Sequence, residues 1–226
     1  MFDKLKDALR NKLAELKRLA APVDPAEFQD PVAMTTEWTP LKRGGANFQT
    51  HKLVEPEHYR LEFRASKANL IFGAIFMIMG IGIPSVIVAG MINEQGLAGG
   101  ISFLPLLFSL PFAIVGAVII RSANKPIVFD KRSGYFWKGK IDPMDKSDKS
   151  GIKVYCELGR IHAFQIIRER VTSDKSSFYS YELNIVCDDG TRLNVVDHGR
   201  IEKLREDAAR LASFLGRRVW DATAVR

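Results

Sequence analysis

Asp197 and His198 stand side by side near the end of the chain, the pair best suited to chemistry, since an Asp can orient an imidazole that acts as a base. A catalytic triad, however, draws its acid and base from separate parts of a chain and needs a nucleophile. No Gly-x-Ser-x-Gly elbow or cysteine partner accompanies this pair, so Asp197 is expected to be the turn or N-cap residue that launches a final helix. His51 and His58 flank Pro56 and read as exposed hairpin residues, while His162 heads a strand as a half-buried sheet residue. None of the four histidines is spaced as a ligand pair. Cys156 and Cys187 share no metal or redox spacing and are expected as small buried strand residues, reduced in a cytoplasmic setting. Asp188–Asp189–Gly190 lacks the alternating oxygen ligands and distal Glu of a calcium loop and reads as a turn. Gly44–Gly45 and Gly99–Gly100 lack the Gly-Lys-Ser/Thr ending of a phosphate loop. The expectation is a non-enzyme with no catalytic residues, no metal and no cofactor.

The elements that would position any site are dominated by two uncharged apolar stretches, Ala68–Ile92 and Leu97–Ile120, separated only by Asn93–Gly96. Each exceeds the roughly 20 residues a helix needs to cross a hydrocarbon core about 30 Å thick, which predicts a transmembrane hairpin. Lys52, Arg60, Arg64 and Lys67 precede it, and Arg121, Lys125, Lys131 and Arg132 follow it. That excess of basic residues puts both termini in the cytoplasm and the Glu94 tip outside, in a multi-pass protein of the bacterial inner membrane. The first apolar run begins too far along to be a cleavable leader. Ser85 and Ala89 on the first span, with Ser109, Ala113 and Ala117 on the second, are spaced four apart and are expected to pack the helices. Pro84, Pro105 and Pro111 should kink rather than break them. Neither span carries an ionisable residue, which argues against a proton relay, charged ion path or voltage sensor.

Outside the membrane, residues 1–21 read as a basic amphipathic helix with Phe2, Leu5, Leu9, Leu13 and Leu16 facing lipid, or else packing on protein. Residues 22–44 form a proline-rich linker, and 45–67 a β-hairpin joining the cytoplasmic domain. In the latter Tyr59, Leu61, Phe63 and Ala65 alternate with Arg60, Glu62 and Arg64. Residues 121–222 hold strands at Ile127–Asp130, Tyr135–Lys140, Ile152–Glu157, Ile161–Arg170, Ser180–Cys187 and Arg192–Val196, with a mobile loop at Asp142–Gly151. Asp189–Gly190 is a tight-turn signal. An amphipathic helix, Ile201–Leu215, closes the domain and Gly216 ends it. The predicted fold class is an α+β membrane protein: a two-helix transmembrane hairpin plus a cytoplasmic pleckstrin-like β domain closed by a C-terminal helix. The net charge of +7 lies largely between Arg121 and Lys153, beside the membrane exit, where an anionic lipid surface accounts for it. No zinc finger, RNP motif or basic recognition helix points to nucleic acid.

The hairpin of spans, the Phe129–Asp130 strand end with Gly134 in the turn, and Ala208–Leu215 in the closing helix resemble the photosystem I assembly proteins of chloroplasts and cyanobacteria. Bacterial membrane-anchored pleckstrin-like proteins share the plan. The likeness runs from about Asn69 to Trp220, and the N-terminal extension and the Asp142–Gly151 loop depart from it. It implies a fold and a non-enzymatic, assembly-type role, and does not imply photosynthesis. The expected function is to present the cytoplasmic domain for protein binding or membrane-complex assembly. Its expected partners are the lipid bilayer, an unidentified protein and, as a homo-oligomer, a second copy. Tyr135, Phe136 and Trp137, with Phe178, Tyr179 and Tyr181, supply the aromatic candidate surface. The alternatives are an immunity protein against a pore-forming toxin and, less favoured, an enzyme modifying lipid or membrane protein.

Overall fold

A computed structural model describes residues 23–41, 44–95, 104–145, 151–173 and 176–223. The expected helix over residues 1–21 lies outside these, with Phe2, Leu5, Leu9, Leu13 and Leu16, as do Gly99–Gly100 and half of the 142–151 loop. In chain order the elements begin with a 3-10 turn (Pro25–Phe28), α1 (Pro31–Thr35), β1 (His51–Glu57) and β2 (Arg60–Ala65). There follow α2 (Lys67–Met77), a π-helical turn (Ile78–Gly82), α3 (Ile83–Gln95) and α4 (Leu104–Ala123). Then come β3 (Ile127–Asp130), β4 (Tyr135–Lys138), β5 (Tyr155–Glu157), β6 (Ile161–Ser173), β7 (Ser176–Cys187), β8 (Arg192–His198), α5 (Ile201–Leu215) and β9 (Arg218–Asp221).

The chain divides into two compact units, Phe48–Leu158 and the pairing of Met1–Asn47 with Gly159–Arg226. Compactness therefore does not follow the expected 121–222 boundary. In the first unit the strands before and after the apolar helices join, β2 lying antiparallel to β3 from Arg60↔Asp130 to Phe63↔Ile127.

That unit's sheet has the order β1-β2-β3-β4-β5. One face carries Leu61, Phe63, Phe129 and Phe136, all buried, with the Phe129 and Phe136 rings 4.7 Å apart. The other carries Val128 and Trp137, which pack with Ile152. Both faces of β3 and β4 are thus interior, so Phe136 and Trp137, expected as an exposed partner surface, are core residues. Tyr135 beside them is half-buried.

Helices α2 through α3, and α4, are each long and apolar enough to cross a membrane, with only 22% and 11% of their most apolar windows buried. Ile71, Ile78, Val86, Leu107, Phe108 and Val118 are exposed along them. Their mutual contact uses glycine. A Cβ on Gly80 would lie 2.2 Å from the Ala113 nitrogen, and one on Gly116 2.8 Å from that of Met77. Close backbone approach is the usual basis of helix association in an apolar phase. Of the expected packing residues Ser109 and Ala113 lie in this contact, whereas Ser85, Ala89 and Ala117 are exposed, turned to the outer faces. Pro84 has no N–H to give to the Gly80 carbonyl one helical turn earlier. The Ser109 hydroxyl donates to that carbonyl instead, at 2.8 Å, from the facing helix.

In the second unit the sheet order is β8-β7-β6-β9. Helix α5 covers one face, burying Leu204, Ala208 and Leu211 near Phe164, Ile166, Leu183 and Ile185, and Arg205 Nε donates to Asp221 of β9 at 2.7 Å. Gly216 ends α5 at φ +64°, a left-handed conformation that glycine adopts without a Cβ clash. Strand β9, unanticipated from the pattern, pairs in parallel with β6 from Ala163↔Arg218 to Ile166↔Asp221. Asp197 lies within β8 and accepts from Asn194, so the helix N-cap position falls to Arg200.

The opposite face of this sheet is covered by the segment expected to be a linker. Phe28 stacks on Trp38 with ring centroids 4.8 Å apart, and both rings lie about 6 Å from that of Trp220. Ala33, Ala163, Val186 and Trp220 form the buried cluster beneath. Asp30 caps α1 by accepting from the Val32 amide, and receives His162 Nε2 at 2.8 Å. Burial pushes the Asp30 carboxyl up, but the bonds from His162 and Val32 outweigh it and hold the group below its ordinary value. Prolines 25 and 31 sit at helix starts, where a missing N–H costs nothing.

Candidate functional site

Among the described residues, two clusters of buried polar side chains bear on a site. The first is the strapped face of the second unit, where Gln165, Ser180, Glu182 and Asn184 are buried on strands β6 and β7. Gln165, Ser180 and Glu182, with Arg192 and Glu169 beside them, bind the backbone of Glu37, Thr39, Leu41 and Gly44–Ala46. Gln165 donates to the Glu37 carbonyl (3.0 Å), Arg192 to that of Thr39 (2.7 Å) and Ser180 to that of Ala46 (3.0 Å). The Leu41 amide donates to Glu182 at 2.9 Å, and those of Gly44 and Gly45 donate to the two oxygens of Glu169. Buried polar groups are usually matched by a partner, and here the strap's backbone supplies it for Gln165, Ser180 and Glu182, while Asn184 Nδ2 donates to Glu182 at 2.7 Å. The described residues of the strap occupy this face.

The second place lies at the foot of the apolar helices. Strand β2 alternates, so Arg60, Glu62 and Arg64 share a face with Asp130 of β3 and Trp137 of β4. Glu62 is buried, and Arg60 Nη2 reaches its Oε2 at 3.2 Å while Arg64 Nε donates to its Oε1 at 2.5 Å. Arg60 also lies 3.6 Å from Asp130 and stacks 5.5 Å from the Trp137 ring. Asp130 in turn accepts from the Arg132 and Ser133 amides, which shapes the tight turn ending at Gly134. Beyond β2, Ser66 caps α2 by accepting from the Asn69 amide and donates to the Gln49 carbonyl. The first turn of α2 is thereby tied to the strand before it.

Between these parts opens a cavity of 410 Å³ lined by Glu62, Arg64, Ala65, Leu70, Ala123, Asn124, Pro126 and Lys140. Its apolar residues come from the end of β2, the start of α2, the end of α4 and the segment after it, and its charged ones from β2 and the segment after β4. Nearby, burial and then the Lys138 charge push the His51 imidazole down to about 4, so this histidine, expected as exposed, is half-buried and neutral at physiological pH. Sequence reasoning missed the cavity, although the Arg60-Glu62-Arg64 alternation was its visible half.

The remaining expected residues are not among those that line it. Tyr179 and Tyr181 fall on one face of the β6–β7 ribbon and Phe178 on the other, as their register partners Arg170, Arg168 and Val171 require. All three are half-buried, and Arg168 lies 5.1 Å from the Tyr179 ring. Cys156 and Cys187 are buried in strands, and His198 is fully buried at the end of β8. Asp189 accepts from the Thr191 amide and pairs with Arg160 at 2.6 Å across the turn that Gly190 completes at φ +77°. Comparison with protein families, curated proteins and solved structures finds no match to this chain.

Proposed function

We propose that this chain is a non-enzymatic protein of the bacterial inner membrane that presents a pleckstrin-like cytoplasmic β region to a protein partner or an assembling membrane complex. The observation that carries the reading is the outward apolar surface of α2–α3 and α4, whose large side chains would be costly to leave in water. Both ends of the hairpin lead into one sheet through β2 and β3, which supports both flanks lying on one side of the bilayer. The basic residues at those ends favour the cytoplasmic side. Antiparallel strands followed by amphipathic α5 support the pleckstrin-like plan, to which β9 is an addition. The polar interior of the second sheet is engaged with the strap, which favours binding over catalysis.

The partner surface is the outer part of the β6–β7 ribbon. Strand β8 lies along β7 only from Tyr181 to Val186, and β9 along β6 only from Ala163 to Ile166, so the ribbon runs on past both. Phe178 and Tyr179 sit on that overhang. Gln95→Cys should react with an impermeant thiol reagent in whole cells, and Ser213→Cys on exposed α5 should not. A photo-crosslinking residue at Tyr179 should then capture one protein in intact membranes. Capture of lipid alone, or no capture, would refute the partner surface, and reversed labelling would refute the topology.

A further inference from the structure

The cavity at the foot of the helices combines features that together specify a ligand. Its volume of 410 Å³ is that of a small-molecule site. Arg64 and Lys140 bring positive charge, and Asn124 an amide donor. Among the described lining residues Glu62 is the one carboxylate, and it is answered by Arg64 and by Arg60, which it shares with Asp130. The surplus is positive. Arg64 is gripped by Glu62 yet its side chain remains 61% exposed, so a guanidinium with five N–H donors is held in place with donors to spare. A planar fork fixed in this way suits the oxygens of a phosphate. Leu70, Ala65 and Ala123 supply an apolar wall that continues into the outward faces of α2 and α4. A free anion would gain nothing from that wall, whereas an amphiphile with a phosphate at one end would use both.

We propose that this cavity binds the phosphodiester of an anionic glycerophospholipid, one whose headgroup carries no cation to offset the phosphate, with Arg64 and Lys140 on the phosphate oxygens, Asn124 on the glycerol side, and the acyl chains against Leu70 and the α2–α4 surface. This rests on the reading that the two helices span a membrane. Lys67, Arg121 and Lys125 surround the same helix ends without lining the cavity, so a diffuse basic collar and a built site make different demands.

The test uses the full chain in phosphatidylcholine nanodiscs with a minor fraction of spin-labelled phosphatidylglycerol. The motionally restricted fraction reports the lipid held at the protein. The parent should prefer phosphatidylglycerol. Lys140→Gln should reduce that preference roughly threefold and Arg64→Gln roughly tenfold, while Arg121→Gln and Lys125→Gln leave it nearly unchanged. Lys140 is exposed, so its variant decides the matter even if Arg64→Gln disturbs the Glu62 pairing. Equal preference in parent and Lys140→Gln, or equal loss in the Arg121 and Lys125 variants, would overturn the site in favour of diffuse charge. Displacement of phosphatidylglycerol by equimolar inorganic phosphate or glycerol phosphate would overturn the lipid and assign the cavity to a soluble phosphate ester. Extraction of the chain from membranes by alkaline carbonate is a separate readout. A chain so extracted would fail the membrane reading, whereas a retained chain without lipid preference would fail the cavity alone.

Discussion

Asp207 is the residue whose chemistry runs most against its setting. It lies on the covered side of α5 beside Leu204, Ala208 and Leu211, and its Oδ2 has no hydrogen-bond partner among the described residues. Burial pushes its carboxyl up to about 6, with Arg210 and Lys203 pulling only partly back. Between its ordinary 3.8 and about 6 the folded chain keeps a proton that the unfolded chain has lost. Stability contributed at this position therefore falls as pH rises through that window and stays low at neutral pH. Asp207→Asn should accordingly gain about 1–3 kcal/mol on the parent between pH 4 and pH 8. Thermal melts of both proteins across that range would check it, and parallel curves would refute it. His51 has the complementary sign. Its value, lowered to about 4 by burial, makes the folded state lose stability as pH falls below the ordinary 6.5.

At the scale of elements, two contacts show how a missing bond is replaced from elsewhere in the chain. Ser109 supplies the donor that Pro84 withholds from Gly80, across the helix pair. Ser109→Ala should weaken the hairpin by about 0.6–2 kcal/mol, read as lowered resistance to detergent unfolding. Gly80→Val should be worse, because its side chain would have to displace the backbone of Ala113. The strap is the second case. Trp38 holds it through the Phe28 stack and a bond from its Nε1 to the Ala33 carbonyl. Trp38→Ala should cost about 2–4 kcal/mol, below a fully buried Trp because this one is half-exposed. Hydrogen exchange should then quicken at the Leu41, Gly44 and Gly45 amides, whose acceptors are the Glu182 and Glu169 carboxylates. Unchanged protection there would mean that the strap is held by those carboxylates alone.

Across the whole molecule, the sheets bury their large apolar side chains while α2–α3 and α4 turn theirs outward. Leu211→Ala should cost about 2–5 kcal/mol by opening a cavity under α5, and a circular-dichroism melt would measure it. The basic segment 1–21 extends the membrane proposal. Leu9→Glu and Leu13→Glu should release that segment from anionic vesicles, and salt should weaken the parent's binding there through screening over about a Debye length. A salt-independent association would point to protein packing instead.

The features legible in the sequence were those fixed by neighbours within a few positions. Uninterrupted apolar runs gave the two long helices, a 3.6-residue stripe ending at Gly216 gave α5 with its observed bounds, and Asp189–Gly190 gave its turn. Alternation on β2 gave the charged face that lines one side of the cavity. What depended on distant partners was decided only in three dimensions. Periodicity ranks Ser85 and Ala89 with Ser109, and only the rotation of one helix against the other puts Gly80 and Gly116 in the contact and turns Ser85 outward. Aromatic composition cannot tell a surface from a core, and Trp137 became interior because Val128 and Ile152 close over it. Proline spacing described residues 22–44 as a linker, yet two of its prolines start short helices, and the irregular stretch after them is engaged because buried side chains such as Gln165, Glu182 and Arg192 need its backbone. Those groups lie more than a hundred residues away in the chain, and no local pattern records a bond across that distance.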